Sequence, residues 1–164
     1  MKPVLSTGIS KYQHGFFVTR STFTNLIQFY NHVSSKLDDR QSIDIASFDM
    51  SKAFDKLDHF ILLRKMREIG FHEGFICIVK KFLIERYQRV SVSGIFSALS
   101  KVSSGVPQKT ILGPVLFIIY INDVFKLKFN GLCSAYADDL KIASSPGPLM
   151  QLDIDLLSTW IILK

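Results

Sequence analysis

Hydrophobic and polar positions follow a helical period over much of the chain. Four segments carry apolar residues at spacings of three and four: residues 22–37, 51–69, 75–83 and 149–161. This period predicts amphipathic helices that bury one face. Residues 111–125 are apolar all round, which predicts a buried helix that begins or kinks at Gly113-Pro114.

Short runs rich in apolar and β-branched residues predict the strands. They are residues 42–48, 89–93, 99–103, 132–136 and 140–144. Gly94 and the pair Asp138-Asp139 fall between neighbouring runs, so we expect two β-hairpins. Because helices separate the strands along the chain, the pattern predicts an α+β fold in which helices pack on one face of a sheet.

The composition is that of a folded and mildly basic protein. Hydrophobic residues make up 48% of the chain and charged residues 21%, which excludes an intrinsically disordered protein. Lys and Arg outnumber Asp and Glu by 20 to 14, and this excess favours a polyanionic partner. A basic globular protein without such a partner is the alternative. The length of 164 residues corresponds to about one domain.

The two cysteines, Cys77 and Cys133, lie far apart and outside any Cys/His metal-binding pattern. Their apolar neighbours predict buried free thiols rather than a disulfide or a zinc site. The first residues lack the apolar core of a signal peptide. Residues 111–125 are too short and too interrupted by polar residues to span a bilayer. We therefore expect a soluble protein.

Two adjacent carboxylates stand in the second predicted hairpin, within the sequence SAYADDLKI of residues 134–142. Asp138 and Asp139 would repel each other, and a divalent cation at the turn would compensate their charge. A solvated turn is the alternative. Asp49 ends the strand predicted at residues 42–48, so the sheet could bring all three carboxylates to one edge. Phosphoryl transfer with two metal ions requires such a set.

Four blocks of sequence stand in the order typical of one enzyme family. They are QHGFFVTRSTFTNL, FDMSKAFDKLDH, SSGVPQKTILGPVLFIIYINDV and YADD, which begin at positions 13, 48, 103 and 136. Through these blocks nearly the whole chain resembles the reverse transcriptase domain of non-LTR retrotransposons of the LINE or jockey type. The resemblance implies a polymerase palm, an antiparallel sheet packed with helices, with the end of the fingers attached.

The resemblance also implies a division of the chain. Residues 1–41 would form the end of the fingers and a leading helix, and residues 42–164 the palm. The C-terminal part of the palm and the thumb would be missing from this sequence, and the fingers would be incomplete. Because these parts normally grip the primer and template, we expect the isolated chain to be weakly active or inactive.

The catalytic residues implied by the resemblance are Asp49, Asp138 and Asp139. They would hold two Mg²⁺ ions, for which Mn²⁺ could substitute, and so support nucleotidyl transfer. Two further residues in the first catalytic block, Asp55 and Asp58, are interpreted as structural or capping groups. His59 is interpreted as a packed or surface histidine rather than a catalytic base.

Three more residues would contact the nucleotide or the template. Phe54 would lie beneath the nucleotide sugar, where a bulky ring would exclude a 2′-hydroxyl group. Gln108 would lie near the nucleotide and the paired template base, and Arg20 would contact a phosphate. For Phe54 the alternative is packing in the core, and for Arg20 it is a solvated or helix-capping side chain.

The function implied is that of an RNA-directed DNA polymerase domain. Its partners would be an RNA template, a DNA primer and deoxynucleoside triphosphates, in the nucleus or cytoplasm and without a membrane. A catalytically inactive remnant is one alternative, because Lys109 stands where the family has glycine in GVPQGSILGP. The other is a non-catalytic basic module that binds nucleic acid, which would leave the carboxylates without a role.

Overall fold

The computed structural model describes residues 8–162, and within them the chain forms two compact units. The first unit contains Gly8 and residues 54–120, and the second contains residues 9–53 and 121–162. Each unit has its own buried apolar core. The core residues include Leu62, Met66 and Phe117 in the first unit, and Leu140, Ile142 and Leu157 in the second.

The chain alternates helices with strands, as an α+β fold requires. The helices are α1 (Thr22–Asp38), α2 (His59–Ile69), α3 (Glu73–Ile84), α4 (Leu112–Ile121), a 3₁₀ helix (Asn122–Lys126) and α5 (Pro148–Ile162). The strands are β1 (Asp44–Asp49), β2 (Tyr87–Gln88), β3 (Ser91–Val92), β4 (Ile95–Phe96), β5 (Ser100–Lys101), β6 (Leu132–Tyr136) and β7 (Asp139–Ser144).

A three-stranded antiparallel sheet forms the centre of the second unit, with β7 between β1 and β6. Leu140 and Ile142 on β7 are fully buried, whereas edge strand β1 is largely exposed. A shift of one residue in the pairing would turn these two side chains to the opposite face. Their burial therefore specifies the register, in which Ala46 lies opposite Ile142.

Helix α1 begins at a capping box and is tied to the sheet by a buried amide. Ser21 Oγ accepts from Thr24 N at 3.2 Å, and Thr24 Oγ1 accepts from Ser21 N at 2.8 Å. Asn25, one turn on, donates from Nδ2 to Ser134 Oγ at 2.7 Å and to Ala135 O at 3.3 Å. The helix predicted over residues 22–37 is thus confirmed.

Helix α2 is bounded by two local signals that the sequence carries. Asp58 Oδ1 accepts from Ile61 N at 2.9 Å and caps the first turn, so its interpretation as a capping group is confirmed. Gly70 ends the helix in the left-handed conformation at φ +96°. Glycine reaches this φ without steric cost, which explains the stop.

The helical start predicted at Ser51 is wrong, because residues 51–55 form turns and the helix begins only at His59. Within the first unit, long-range backbone hydrogen bonds replace helical ones. Gly105 N donates to Leu57 O at 2.8 Å, and Val106 N donates to Phe54 O at 2.9 Å. The apolar residues at helical spacing here are buried by a loop from another part of the sequence.

The region of the first predicted hairpin forms two separate short ladders instead of one hairpin. The turn at Ser93-Gly94 joins β3 to β4, and a second short ladder pairs β2 with β5. Residues 99–103 therefore do not pair with residues 89–93 as predicted. Polar and glycine residues interrupt the pairing, and each ladder is only two residues long.

The predicted buried helix is confirmed, but it is shorter and ends in a tighter turn. Helix α4 buries Leu116, Phe117 and Ile118 almost completely. It stops at Ile121, and the 3₁₀ helix follows. Across residues 8–162 there is no helix of the length and hydropathy needed to cross a membrane.

Both cysteines are free, but only one is buried. Burial and the nearby Asp153 carboxylate raise the pKa of Cys133 to about 12, so its thiol stays protonated. Cys77 is exposed on α3, which corrects the prediction of two buried thiols. Ile76, Val79 and Leu83 form the buried face of this helix, whereas Cys77 lies on its solvent side.

Asp153 on α5 is fully buried and holds the turn before β6. Its Oδ1 accepts from Asn130 N at 2.8 Å and from Asn130 Nδ2 at 2.9 Å. Its Oδ2 accepts from Gly131 N at 2.9 Å. One carboxylate therefore satisfies three donors from Asn130-Gly131, the pair that the sequence marks as a turn.

Replacing Asp153 with alanine should destabilise the protein strongly. Asp153→Ala leaves buried donors without an acceptor, and we expect the free energy of unfolding to fall by about 3 kcal/mol. Urea denaturation followed by circular dichroism measures this change. The exposed Asp155 on the same helix is the matched control, and Asp155→Ala should change stability by less than about 0.5 kcal/mol. Equal effects of the two substitutions would contradict this role for Asp153.

Candidate active site

Strand pairing in the second unit brings the three candidate carboxylates to one end of the sheet. Asp49, the last residue of β1, lies directly opposite Asp139, the first residue of β7. Residues opposite each other in an antiparallel pair place their side chains on the same face. Asp138 precedes Asp139 in the two-residue loop that joins β6 to β7. The predicted approach of these residues is confirmed at the level of the backbone.

The β6–β7 loop is a tight turn with one residue in an uncommon conformation. Tyr136 pairs with Asp139, so Ala137 and Asp138 are the two central residues. Ala137 has φ +57°, the positive value that primed hairpin turns require at their first central position. An L-residue other than glycine pays about 1–2 kcal/mol for this region. The turn that presents Asp138 is therefore held by its surroundings rather than by local preference.

The three carboxylates are accessible and not committed to other residues. Asp49 and Asp139 are exposed, and Asp138 is half-buried. Within the described part of the chain, none of these carboxylates makes a hydrogen bond or an ion pair. In residues 8–162, no three His, Cys, Asp or Glu side chains are already assembled into a metal-binding cluster.

A segment from the first sequence block runs beside this turn. Gln13 forms a parallel bridge with Ala135, where His14 N donates to Ala135 O at 2.8 Å and Ala135 N donates to Tyr12 O at 2.9 Å. The Gln13 side chain is fully buried and contacts the backbone of Ala137. Gln13 opens the block QHGFFVTRSTFTNL, but its neighbours in the sequence give no signal of this contact.

The Arg20 side chain hydrogen-bonds to the backbone of the same segment. Its Nη1 donates to Ser10 O at 2.6 Å and to Gln13 O at 2.5 Å, and its guanidinium lies 4.6 Å from the centre of the Phe17 ring. Partial burial lowers the pKa of Arg20 from its usual value. These contacts give Arg20 a structural role, and its predicted phosphate contact stays a prediction.

In the first unit, the residues expected to contact the nucleotide are held by neighbours. The Phe54 ring stacks on Phe117 with centroids 4.3 Å apart, so Phe54 is half-buried and fixed in place. Gln108 is exposed, and its Nε2 donates to Asp55 Oδ1 at 3.1 Å. The interpretation of Asp55 as a structural group agrees with this contact.

The Gly105 loop of the same unit is packed against the turns of the first catalytic block. His59 is buried, and its Nε2 lies 2.7 Å from Gly105 O, which agrees with a packed histidine. Arg86 also donates to Gly105 O, at 2.9 Å. Gly105 has φ +78°, and a side chain there would meet the Asp55 backbone within 2.8 Å. No other residue fits this position without a shift of the backbone.

Lys109 adopts a backbone conformation that favours glycine. Its φ is +58°, in the left-handed region. The side chain is exposed, and the strain is therefore not offset by burial. The substitution of glycine by lysine at this position carries a conformational cost.

A family described as "Reverse transcriptase (RNA-dependent DNA polymerase)" matches residues 1–162. The chain belongs to the reverse transcriptase family. It is 32% identical over 120 residues to the RNA-directed DNA polymerase from mobile element jockey of Drosophila melanogaster, covering 73% of this chain and 13% of that protein. It is 27% identical over 141 residues to the probable RNA-directed DNA polymerase from transposon BS of the same organism, covering 82% and 16%.

The fold is shared with solved telomerase structures. An apo telomerase from Candida tropicalis matches with a TM-score of 0.70 and 17% identity, covering 90% of this chain and 32% of that one. The telomerase of Candida albicans matches with a TM-score of 0.71 and 15% identity, covering 90% and 29%. These matches confirm the predicted α+β, palm-like architecture. The reverse transcriptase chain spans about a sixth or less of the two transposon proteins.

Lys109→Gly should stabilise this reverse transcriptase chain. Glycine adopts φ +58° freely, and the relief of strain outweighs its larger entropy loss, so we expect a gain of about 0.5–1 kcal/mol. Thermal unfolding measures the change. Lys109→Ala is the matched control, because it removes the same charge and keeps the strain, and it should give no gain. A gain of the same size from both variants would show that charge, not conformation, is responsible.

Proposed function

We propose that this chain forms the catalytic part of an RNA-directed DNA polymerase encoded by a non-LTR retrotransposon. The observation that carries the proposal is the pairing of Asp49 with Asp139 next to the tight turn at Asp138. Family membership supplies the reaction class. The pairing supplies a cluster of exposed or half-exposed carboxylates with no other partners among the described residues.

The donor chemistry fits Mg²⁺, with Mn²⁺ as a substitute. Asp49, Asp138 and Asp139 offer only carboxylate oxygens, the hard ligands that these ions prefer. Mg²⁺ takes few protein ligands and keeps water and substrate phosphates for the rest, so a closed protein cage is not required. When bound, two such ions would activate the primer 3′-hydroxyl and stabilise the charge on the triphosphate.

The proposed role of the three aspartates is to coordinate the metal ions beside the substrate phosphates. Asp49 projects from a strand that is paired along its whole length, so its backbone is rigid. Asp138 projects from a turn of only two residues, which restricts its direction. Sites on strands and tight turns keep their geometry better than sites on long loops. This rigidity supports an in-line displacement that needs close alignment.

We further propose that Phe54 and Gln108 contact the nucleotide and the paired template base. Stacking on Phe117 keeps the Phe54 ring from moving aside, as a ring that excludes a 2′-hydroxyl must. The hydrogen bond that Gln108 Nε2 donates to Asp55 Oδ1 orients the Gln108 amide. Arg20 has further guanidinium donors beside Nη1 for a phosphate.

The proposed substrates are an RNA template, a DNA primer and deoxynucleoside triphosphates. The excess of 20 basic over 14 acidic residues suits a polyanionic substrate. One of the telomerase structures with the same fold contains a fragment of telomeric RNA. Binding of nucleic acid by this chain rests on the family and on charge.

The experiment places the residues of this chain in a complete relative. A chimera in which they replace the matched segment of the jockey polymerase should extend a DNA primer on an RNA template in the presence of Mg²⁺. In this chimera, Asp49→Asn or Asp138→Asn should lower the rate by at least about a hundredfold, because each removes a carboxylate proposed to hold a metal ion. A hundredfold loss corresponds to about 3 kcal/mol of transition-state stabilisation.

The matched control lies on the same strand. Asp44 is an exposed aspartate at the opposite end of β1, where it pairs with Ser144. Asp44→Asn should change the rate by less than about twofold. Equal losses from Asp44→Asn and Asp49→Asn, or full activity of Asp138→Asn, would contradict the proposed catalytic site.

A further inference from the structure

We propose that Gln13 is a positioning residue that holds the turn of Ala137 and thereby sets the direction of the Asp138 carboxylate. This inference rests on the proposed function, in which Asp138 helps to hold a divalent metal ion. It adds a residue from outside the two catalytic blocks. All residues concerned belong to the second unit.

Both the oxygen and the nitrogen of the Gln13 side-chain amide hydrogen-bond to the turn. Its Oε1 accepts from Ala137 N at 3.0 Å and from Gly15 N at 2.8 Å. Its Nε2 donates to Ala137 O at 3.2 Å. The amide therefore binds both the N–H and the carbonyl of the residue directly before Asp138, with no exposure to solvent.

These hydrogen bonds act on the residue that needs them most. Ala137 has φ +57°, which costs an alanine about 1–2 kcal/mol relative to an ordinary conformation. The two buried hydrogen bonds to Ala137, each worth about 1 kcal/mol, are enough to offset that cost. Without them, the turn would have alternative conformations within reach, and each would aim Asp138 differently. The Gln13 amide thus links the stability of the turn to the geometry of the site.

The close approach of the two segments requires glycine at position 15. A Cβ atom there would lie 2.4 Å from Ala137 N and 2.9 Å from Ala137 Cα, both of which are backbone atoms. The missing side chain of Gly15 is what lets the Gln13 segment reach the turn. Arg20 Nη1 also holds this segment, through the hydrogen bond that it donates to Gln13 O.

Asn25 is the control that separates positioning from general stability. Like Gln13, it is a buried amide that binds this hairpin, but its partners are Ser134 Oγ and Ala135 O on strand β6. It makes no hydrogen bond to the turn residues. Loss of either amide should lower stability, whereas only the loss of Gln13 should change the metal site.

The test measures Mn²⁺ binding to the 164-residue chain by electron paramagnetic resonance. Gln13→Met and Asn25→Leu preserve side-chain volume and delete the hydrogen bonds. We expect Gln13→Met to weaken Mn²⁺ binding by about 10- to 100-fold, the usual effect of losing a group that orients a ligand. Asn25→Leu should weaken it by less than twofold. Equal effects from the two variants, or unchanged binding in Gln13→Met, would overturn the inference.

Amide hydrogen exchange in the unmutated chain tests the same inference without any variant. The Ala137 N–H should exchange about as slowly as the Ala135 N–H, which donates to Tyr12 O within the bridge. Fast exchange of Ala137 beside a slow Ala135 would overturn the role of Gln13. Failure of Asp138→Asn to weaken Mn²⁺ binding would instead contradict the proposed function, so the two failures are distinguishable.

Discussion

The pairing of β1 with β7 is the constraint on which the candidate site depends. It runs over six residue pairs, from Asp44 opposite Ser144 to Asp49 opposite Asp139. The buried side chains of β7 specify this register, because a slip of one residue would expose them. The same slip would place Asp49 and Asp139 on opposite faces of the sheet. The strand register that buries the core is therefore the same register that brings the carboxylates together.

Two non-glycine residues with positive φ, Ala137 and Lys109, lie near candidate site residues, and their surroundings differ. Ala137 is buried, and its backbone N–H and carbonyl are both bonded by Gln13. Lys109 is exposed in a loop where the family has glycine. Strain at Ala137 is offset by hydrogen bonds that also orient a catalytic candidate. Strain at Lys109 has no such compensation, because its side chain is exposed.

Much of the fold could be predicted because its signals are local. The apolar period of α1, the glycine after α2 and the alternating residues of β6 and β7 each identify an element directly. Residues 51–58 have helical spacing but form no helix, because a distant loop at Gly105 hydrogen-bonds to their backbone. The role of Gln13 could not be read from its sequence neighbours either. Its partner lies 124 residues away, and a single glutamine carries no signal of such a contact.

Asp49 and Asp138 are proposed to hold a divalent cation at the end of this sheet. Crystals of the chain soaked with Mn²⁺, with diffraction recorded on both sides of the manganese absorption edge, test it directly. If both residues hold the cation, an anomalous peak will lie within about 2–2.5 Å of carboxylate oxygens of both, which is the range of bonds to hard cations. A peak elsewhere on the molecule, with none beside these two aspartates, would contradict it.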